Sequence, residues 1–423
     1  MTKLKHNLGK SMQRVLFFLT ILGPGLITAS ADNDAPGIAT YSMAGSRYGY
    51  SFLWLLVVVT IGEVIVQEMA ARMGAITGKG TSDLIRERFG VPVTTFAMFC
   101  LILANMGTTM AQFAGIAAGT ELLGISRYIT VPLAALAVGF LVLRGSYRYV
   151  EKALLALSLA ALSYVISAVV VNPPWSQVLR EAVTPSLRAD PDYILAILAT
   201  VGATITPWGI VYMQASVADK GVTKDEYRYT RLDVVVGAAW GNLISAFIVI
   251  STAATLFGLG IAVDSAADAA IALEPLAGSA ARYLFSAGLL GASLLAASVL
   301  PLSTTYAICE AFGWERGLNQ RTKDAPIFYG LYVAMIVVSV LVVLVPGIPL
   351  FPIMWASQAL NALLLPVLLV LVLKLANDRR VMGDWGNSRL QNALAWGLTL
   401  LITGVAVLLL VSSLWPGLLL PGG

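Results

Sequence analysis

Apolar runs of roughly 18 or more residues recur along this chain from end to end, each long enough to cross the hydrocarbon core of a bilayer as a helix. That pattern leaves few folds. In lipid every backbone amide and carbonyl must find a partner, which helices supply within one segment, so the chain reads as an all-α polytopic membrane protein. Composition agrees where it bears on the point. Only 12% of residues are charged and the mean hydropathy is +0.82, against about 25% charged in an ordinary soluble domain. Cys100 and Cys309 fall inside apolar runs and read as small buried hydrophobes, not as a disulfide.

About eleven spans follow, at roughly 14–46, 50–73, 93–118, 128–143, 150–172, 190–217, 233–258, 278–309, 326–345, 350–375 and 391–415. Basic residues set the orientation. The N-terminal stretch MTKLKHNLGKSMQR and the loops after the even-numbered spans hold most of the 27 lysines and arginines. The N-terminus is therefore expected in the cytosol, and an odd number of spans leaves the C-terminus outside. The N-terminal stretch reads as a cytosolic tail rather than a signal peptide, because no small-residue cleavage site follows it. The net charge of +4 comes from helix ends and gives no reason to expect nucleic acid. His6, the one histidine, lies in the tail, so none is available as a relay or ligand at membrane depth. The loop with Asp264, Asp268 and Glu274 reads first as an ordinary solvated loop, and second as a mouth that concentrates cations.

Two spans are interrupted. The first carries Asp32-Asn33-Asp34-Ala35-Pro36-Gly37, and the sixth carries Thr204-Ile205-Thr206-Pro207-Trp208-Gly209. Span 1 enters from the cytosolic side and span 6 from the outside, so the two five-span halves are inverted relative to each other. Matched Gly/Pro interruptions in inverted halves point to the substrate site of a secondary transporter. Irregular backbone at that depth is tolerated only where it lines a cavity or is buried in protein.

Unwound segments free carbonyl oxygens, which are hard donors, and Asp34 adds a carboxylate. Burying that charge near the bilayer centre costs about 3 kcal/mol on insertion scales, and a bound cation removes the penalty. One carboxylate with carbonyls and waters suits Mg²⁺, Mn²⁺ or Ca²⁺. On an extended stretch Asp32 and Asp34 point to opposite sides, so whether both reach one ion stays open. In the tenth span Asn361 sits three residues after Gln358, on the same helix face, and is a candidate for the ion's water shell. Asn105 and Gln112 in span 3 read as interhelical hydrogen-bonders, Glu68 and Arg72 as a structural i, i+4 pair, Glu63 as a candidate for the pathway, and Trp208 as packing.

GPGLITASADNDAPGIATYSMAGSRYGY (23–50) resembles the first span of the Nramp family of divalent-metal transporters. QEMAARMGAITGKG (67–80) resembles the end of that family's second span, GATITPWG (202–209) its broken sixth, and SQALNALLLP (357–366) its tenth. The resemblance implies the inverted five-plus-five helix repeat shared with amino-acid/polyamine/organocation transporters, with broken helices 1 and 6 and an added eleventh helix. By residues 1–13 the chain is expected in a cytosolic tail, by 14–172 in the first repeat, by 173–189 in an extracellular linker, by 190–375 in the second repeat, and by 376–423 in a cytosolic loop and the eleventh helix.

Departures from the family pattern carry further expectations. The family's Asp-Pro-Gly-Asn motif places its metal-binding Asp on Asp34 and its Asn on Gly37, so one side-chain ligand is missing and Asp32 is extra. Its Met-Pro-His motif reads Thr206-Pro207-Trp208 here, replacing a soft thioether, which favours transition metals, with a hydroxyl. Ala203 matches a position whose carbonyl binds metal, and Gln358 a polar residue that approaches the ion. In TTMAQFAG (108–115) two acidic family positions appear as Thr109 and Gln112, neither of which titrates near neutral pH. The set resembles the Nramp-related magnesium transporter branch, in which movement is held to be uncoupled from protons.

The expectation is therefore a carrier in the inner (plasma) membrane that imports partly hydrated Mg²⁺, and also Mn²⁺, by alternating access. An inward-negative potential contributes about 2.3 kcal/mol per charge per 100 mV, twice that for a divalent ion. No cofactor and no protein partner are implied, only the ion as substrate and the lipid bilayer. Two alternatives stand beside it: a proton-coupled Mn²⁺/Fe²⁺ importer using Asp32 or Glu63, and a Na⁺-coupled amino-acid transporter. No H-E-x-x-H, G-x-S-x-G or nucleotide-binding glycine loop appears, so an enzyme is not expected.

Overall fold

The structure, a computed structural model, describes residues 33–143, 162–188, 190–317 and 321–414. Its elements are helical. In chain order they are α1 (Ala35–Tyr48), α2 (Leu53–Thr77), α3 (Thr81–Leu122), α4 (Arg127–Leu143), α5 (Leu162–Val171), α6 (Trp175–Val183), α7 (Pro191–Thr204), α8 (Pro207–Asp219), α9 (Tyr227–Thr255), α10 (Ala281–Phe312), α11 (Pro326–Val343), α12 (Leu350–Ala376) and α13 (Arg389–Leu414), with shorter turns in the loops. Among the described residues eight stretches are long and apolar enough to cross a bilayer, one of them α1 together with α2, while α4 and α5 are shorter apolar helices. These account for the eleven expected spans in whole or in part. The first half of span 1, with Asp32, and the first half of span 5 lie outside the described residues.

Helix ends follow local chemistry. Pro36, Pro191 and Pro207 sit in first turns, where their missing N–H costs nothing. Gly78 closes α2 in the left-handed region, at φ 63°. The sequence places the third span at about 93, yet α3 begins at Thr81. Its first turns carry Asp83, Arg86, Glu87 and Arg88 but bury Leu84 and Ile85, so they pack as a polar extension. Gly90, at φ 76°, kinks the helix before the apolar part begins.

Within lipid no hydrophobic force pulls helices together, so close backbone approach and hydrogen bonds carry the packing. Helix α3 packs on α10 and α12, α12 on α7, α1 on α9, and α8 on α2. Small residues mark these crossings. A Cβ on Gly45 would meet the Thr252 hydroxyl at 2.0 Å, and one on Gly74 the Gln214 carbonyl at 2.5 Å. One on Gly202 would sit 1.9 Å from the Gln358 carbonyl. Polar pairs add specificity: Asn105 donates to the Thr304 hydroxyl across α3 and α10 at 2.7 Å. The paired reading of Glu68 and Arg72 holds, at 3.4 Å, and the pair does more than brace α2. Tyr227 donates to Glu68, while Arg72 donates to the Trp385 carbonyl and to Asn387, tying the start of α13 to α2. At the opposite end Arg47 pairs with Asp264 at 2.7 Å, which favours the solvated-loop reading of that acidic segment.

Gly202→Ala should overpack the α7–α12 crossing and cost about 1–3 kcal/mol, seen as a lower unfolding midpoint of the purified protein in detergent. Gly397→Ala, where nothing lies within 4 Å of the added Cβ, should leave the midpoint unchanged.

Candidate functional site

The break in the sixth span follows from Pro207. An α-helix through this point would pair the amide of residue 207 with the carbonyl of Ala203, and proline has no amide hydrogen to give. Helix α7 therefore stops at Thr204, Ile205 leaves the helical conformation at φ −107° and ψ 87°, Thr206 is extended, and α8 restarts at Pro207. Thr206 caps α8 by accepting the Gly209 amide at 3.3 Å. The Ala203 carbonyl is left without its i+4 donor in a segment buried on all sides, since Ala203 is 2% and Thr206 6% exposed. Trp208 packs against Leu295 and Leu300 of α10 and tilts against Tyr212, as its packing role required.

In the first span Pro36 likewise sits in the first turn of the helix after the cap. Asp34 is the N-cap of α1, and its Oδ1 accepts the Gly37 amide at 2.9 Å. Its Oδ2 accepts from Gln112 Nε2 of α3 at 2.5 Å. Gly115, one turn on, lets α3 reach the break: a Cβ there would meet the Ala35 methyl at 2.3 Å. Asp34 is 4% exposed, and the partners seen on its carboxylate are neutral. The Oε1 of Gln112 is buried without a hydrogen-bond partner, an acceptor next to the carboxylate.

A third cluster closes the region. Asn361 donates to Gln358 Oε1 at 2.9 Å and to the Thr108 hydroxyl at 3.0 Å, so the two α12 residues do share a face and turn it to α3. Gly202 sits on the Gln358 carbonyl, joining that face to the end of α7. Tyr41 of α1 meets the Thr204 hydroxyl at 3.0 Å, joining the two broken spans. Asp34 and Gly37 are thus in direct contact through one hydrogen bond, Gln358 and Asn361 through another, and Ala203 and Thr206 flank the α7–α8 break. Asp32 lies outside the described residues. The sequence reading took Gln112 as a lost proton site and an interhelical hydrogen-bonder. The structure adds that its partner is Asp34, a pairing no local pattern reveals because 78 residues separate the two.

Chemically, the region offers a carboxylate, a carbonyl released by proline, hydroxyls and amide oxygens. Among the described residues no group of three or more His, Cys, Asp or Glu side chains is placed to hold a metal. The donor set is hard and carries little charge, which suits an ion that keeps part of its water shell.

The sequence profile of Nramp, described as Natural resistance-associated macrophage protein-like, matches residues 25–412. A curated relative, the divalent metal cation transporter MntH of Klebsiella pneumoniae, is 27% identical over 405 residues, covering 94% of this chain and 95% of its own. Among solved structures, a manganese transporter of Eremococcus coleocola superposes with a TM-score of 0.76 at 22% identity, over 96% of this chain and 88% of that one. MhsT in complex with L-phenylalanine superposes at 0.57 with 17% identity, over 92% and 98%. The fold is thus that of broken-helix transporters built on the inverted five-plus-five repeat.

Asp34→Asn should separate the two roles of this residue, because Asn caps a helix about as well as Asp. The unfolding midpoint in metal-free buffer should stay within a few degrees of wild type, while stabilisation by added Mn²⁺ should disappear.

Proposed function

The chain belongs to the Nramp family, and from that premise we propose that it imports divalent metal cations, Mg²⁺ first and Mn²⁺ as well, by alternating access around the breaks in spans 1 and 6. The observation that carries the reading is the pairing of the buried Asp34 carboxylate with neutral Gln112, beside a proline-freed Ala203 carbonyl. Asp34, the Ala203 carbonyl and Thr206 are the proposed direct ligands. Gln358, Asn361 and the space left by Gly37 serve the ion's remaining waters, and Asp32 joins them if it turns inward. The substrate is the only metal invoked, and no cofactor is needed.

Magnesium is favoured over a softer ion because the sixth-span position next to Pro207 holds a hydroxyl, not a thioether. Mg²⁺ sheds water reluctantly, and small residues at 37 and 206 leave room for it to enter partly hydrated. Movement is proposed to be uncoupled from protons. Gln112 cannot titrate, and Thr109 spends its hydroxyl on the Asn105 carbonyl at 2.7 Å. The membrane potential then supplies about 4.6 kcal/mol per 100 mV for a double charge.

We place the protein in the inner (plasma) membrane with its N-terminus in the cytosol and C-terminus outside, as two inverted halves (14–172 and 190–375) joined by a linker at 173–189. A cavity of about 400 Å³ between α8 and α10 runs from Val211 to Asp219 and Glu310. In that orientation it lies on the cytosolic side of the span 6 break and is proposed as the exit vestibule.

The deciding experiment is Mg²⁺ uptake into proteoliposomes, with internal Mg²⁺ and pH followed by separate dyes and Asp34→Asn run in parallel. Potential-driven Mg²⁺ entry without acidification, absent in the variant, is the expected result. Mn²⁺ entry accompanied by acidification, with no Mg²⁺ entry, would replace this reading with a proton-coupled importer. Thr206→Met should shift selectivity from Mg²⁺ towards Mn²⁺ and Cd²⁺ by about tenfold or more, roughly the 1.4 kcal/mol of one soft contact, read as the ratio of initial uptake rates.

A further inference from the structure

Span 5 ends in a turn. Asn172 takes the left-handed region at φ 50°, which asparagine tolerates better than most residues, and Pro173 and Pro174 follow, so α5 stops at Val171. Trp175 opens α6 four residue steps later, a reach of at most about 14 Å. From there α6 runs across its neighbours. The Trp175 ring meets Phe247 of α9 edge-on, with 6.4 Å between centroids, and the helix packs on the start of α2 and the turn before it. Phe247 lies eight residues before α9 ends at Thr255, about 12 Å along the helix axis. Helix α6 therefore begins level with a part of α9 that is still two turns from its end.

At about 100° per residue the apolar and polar residues of α6 fall on separate arcs. Trp175, Val178, Leu179, Ala182 and Val183 form the first; Ser176, Gln177, Arg180 and Glu181 form the second. The apolar arc is wider than the protein covers. Val178 is buried and Ala182 half-buried against the bundle, but Leu179 is 68% and Val183 75% exposed, and Trp175 is exposed beside them. This bare strip continues surfaces that spanning helices turn to lipid. Val169 and Val170, exposed on α5, precede it in the chain, and Leu243, exposed on α9 one turn before Phe247, lies next to its first residue. Left in water, side chains of this size forgo the free energy of burial.

We propose that α6 is an interfacial helix whose partner is the lipid surface: it lies in the headgroup region of the bilayer, with Leu179 and Val183 in the upper acyl chains and its polar arc turned to water. A narrow amphipathic helix opened by tryptophan suits that boundary. The chain after α6 carries the anchor to the broken spans. The Ser186 carbonyl accepts from Trp54 Nε1 at 3.2 Å and from the Tyr193 hydroxyl. The Arg188 guanidinium lies over the rings of Tyr48 and Tyr193, 5.9 and 5.7 Å from their centroids. Tyr48 ends α1 and Tyr193 sits in the first turn of α7, and their rings meet edge-on at 5.0 Å. A linker held by lipid thus fixes the joined ends of α1 and α7 at one depth.

The test attaches a spin label at Leu179→Cys, at Val183→Cys and, on the polar arc, at Gln177→Cys, in protein held in phosphatidylcholine–phosphatidylglycerol nanodiscs. Collision with oxygen, which partitions into lipid, is compared with collision with a water-soluble nickel chelate. Cys100 and Cys309 are buried, and wild type carried through the labelling sets the blank. The oxygen-to-nickel ratio at 179 and 183 should exceed that at 177 several-fold. Equal ratios at all three positions would put α6 in water and overturn the proposal. Shielding of 179 and 183 from both reagents would overturn it in favour of a protein partner or a second copy. Wild type exposed to a photoactivatable phospholipid gives an answer without substitution: adducts on 175–183 are expected, and adducts on α9 with none on α6 would sink the idea. For the anchoring, Leu179→Glu combined with Val183→Glu should speed amide exchange several-fold across 184–188 and leave α12 as in wild type. Exchange across 184–188 at the wild-type rate would break the link to α1 and α7.

Discussion

A carboxylate buried at membrane depth is the constraint around which this structure is arranged. Asp34 cannot be left solvated by lipid, and no lysine, arginine or histidine is among the partners seen on its two oxygens. Its contacts are one backbone amide and one glutamine amide, both neutral. Such donors orient a charge without cancelling it, so the site stays short by one positive charge. On the proposed reading, cation binding is made favourable by what the fold withholds as much as by what it supplies. A guanidinium in place of Gln112 would settle the charge permanently and remove the reason for an ion to enter.

Backbone geometry supplies the rest. Proline at 207 stops the sixth span from pairing across its gap, Pro36 sits in the first turn of α1, and the caps Asp34 and Thr206 start the helices that follow. Glycines then allow neighbouring helices to close on the breaks: Gly115 brings α3 to Ala35, and Gly202 brings α7 to the carbonyl of Gln358. In water such glycines would weaken a helix, but in lipid close approach is the main source of interhelical attraction. The same residues therefore build the bundle and bring its polar groups to one level.

Much of this was legible in the sequence because membrane helices leave local marks. Run length gave the spans, and proline with glycine in an apolar run located both breaks, the first marked by aspartate as well, as α7, α8 and the cap of α1 bear out. The pair Glu68–Arg72 and the shared face of Gln358 and Asn361 were readable from i, i+4 and i, i+3 spacing alone. What was not legible depends on which helices meet. Gln112 pairs with a residue 78 positions away, and Asn242 with one 179 away. Periodicity assigns a residue to a face of its own helix, but it does not say which helix that face meets. The start of α3 was misplaced for a related reason: its charged first turns ended the apolar run at 93, yet they continue as helix because Leu84 and Ile85 find a buried face.

Asn33 and Asp34 are consecutive, so their side chains are coupled by covalent geometry. One is held by α9 beside Glu63 and the other by α3. Any motion that opens span 1 must break both sets of hydrogen bonds or carry both helices along. The Asp34 carboxylate, Gln112 and the cap on Gly37 hold this part of the break in one setting, which on the proposed reading an ion stabilises by neutralising the charge. Asn33 is hydrogen-bonded to α9, and the Tyr41–Thr204 contact joins α1 to the sixth span. Alternating access needs an element with two discrete arrangements whose balance the substrate biases. On the proposed reading that element is the segment at residues 33 and 34, and the charge on Asp34 is the means by which a bound cation biases its position.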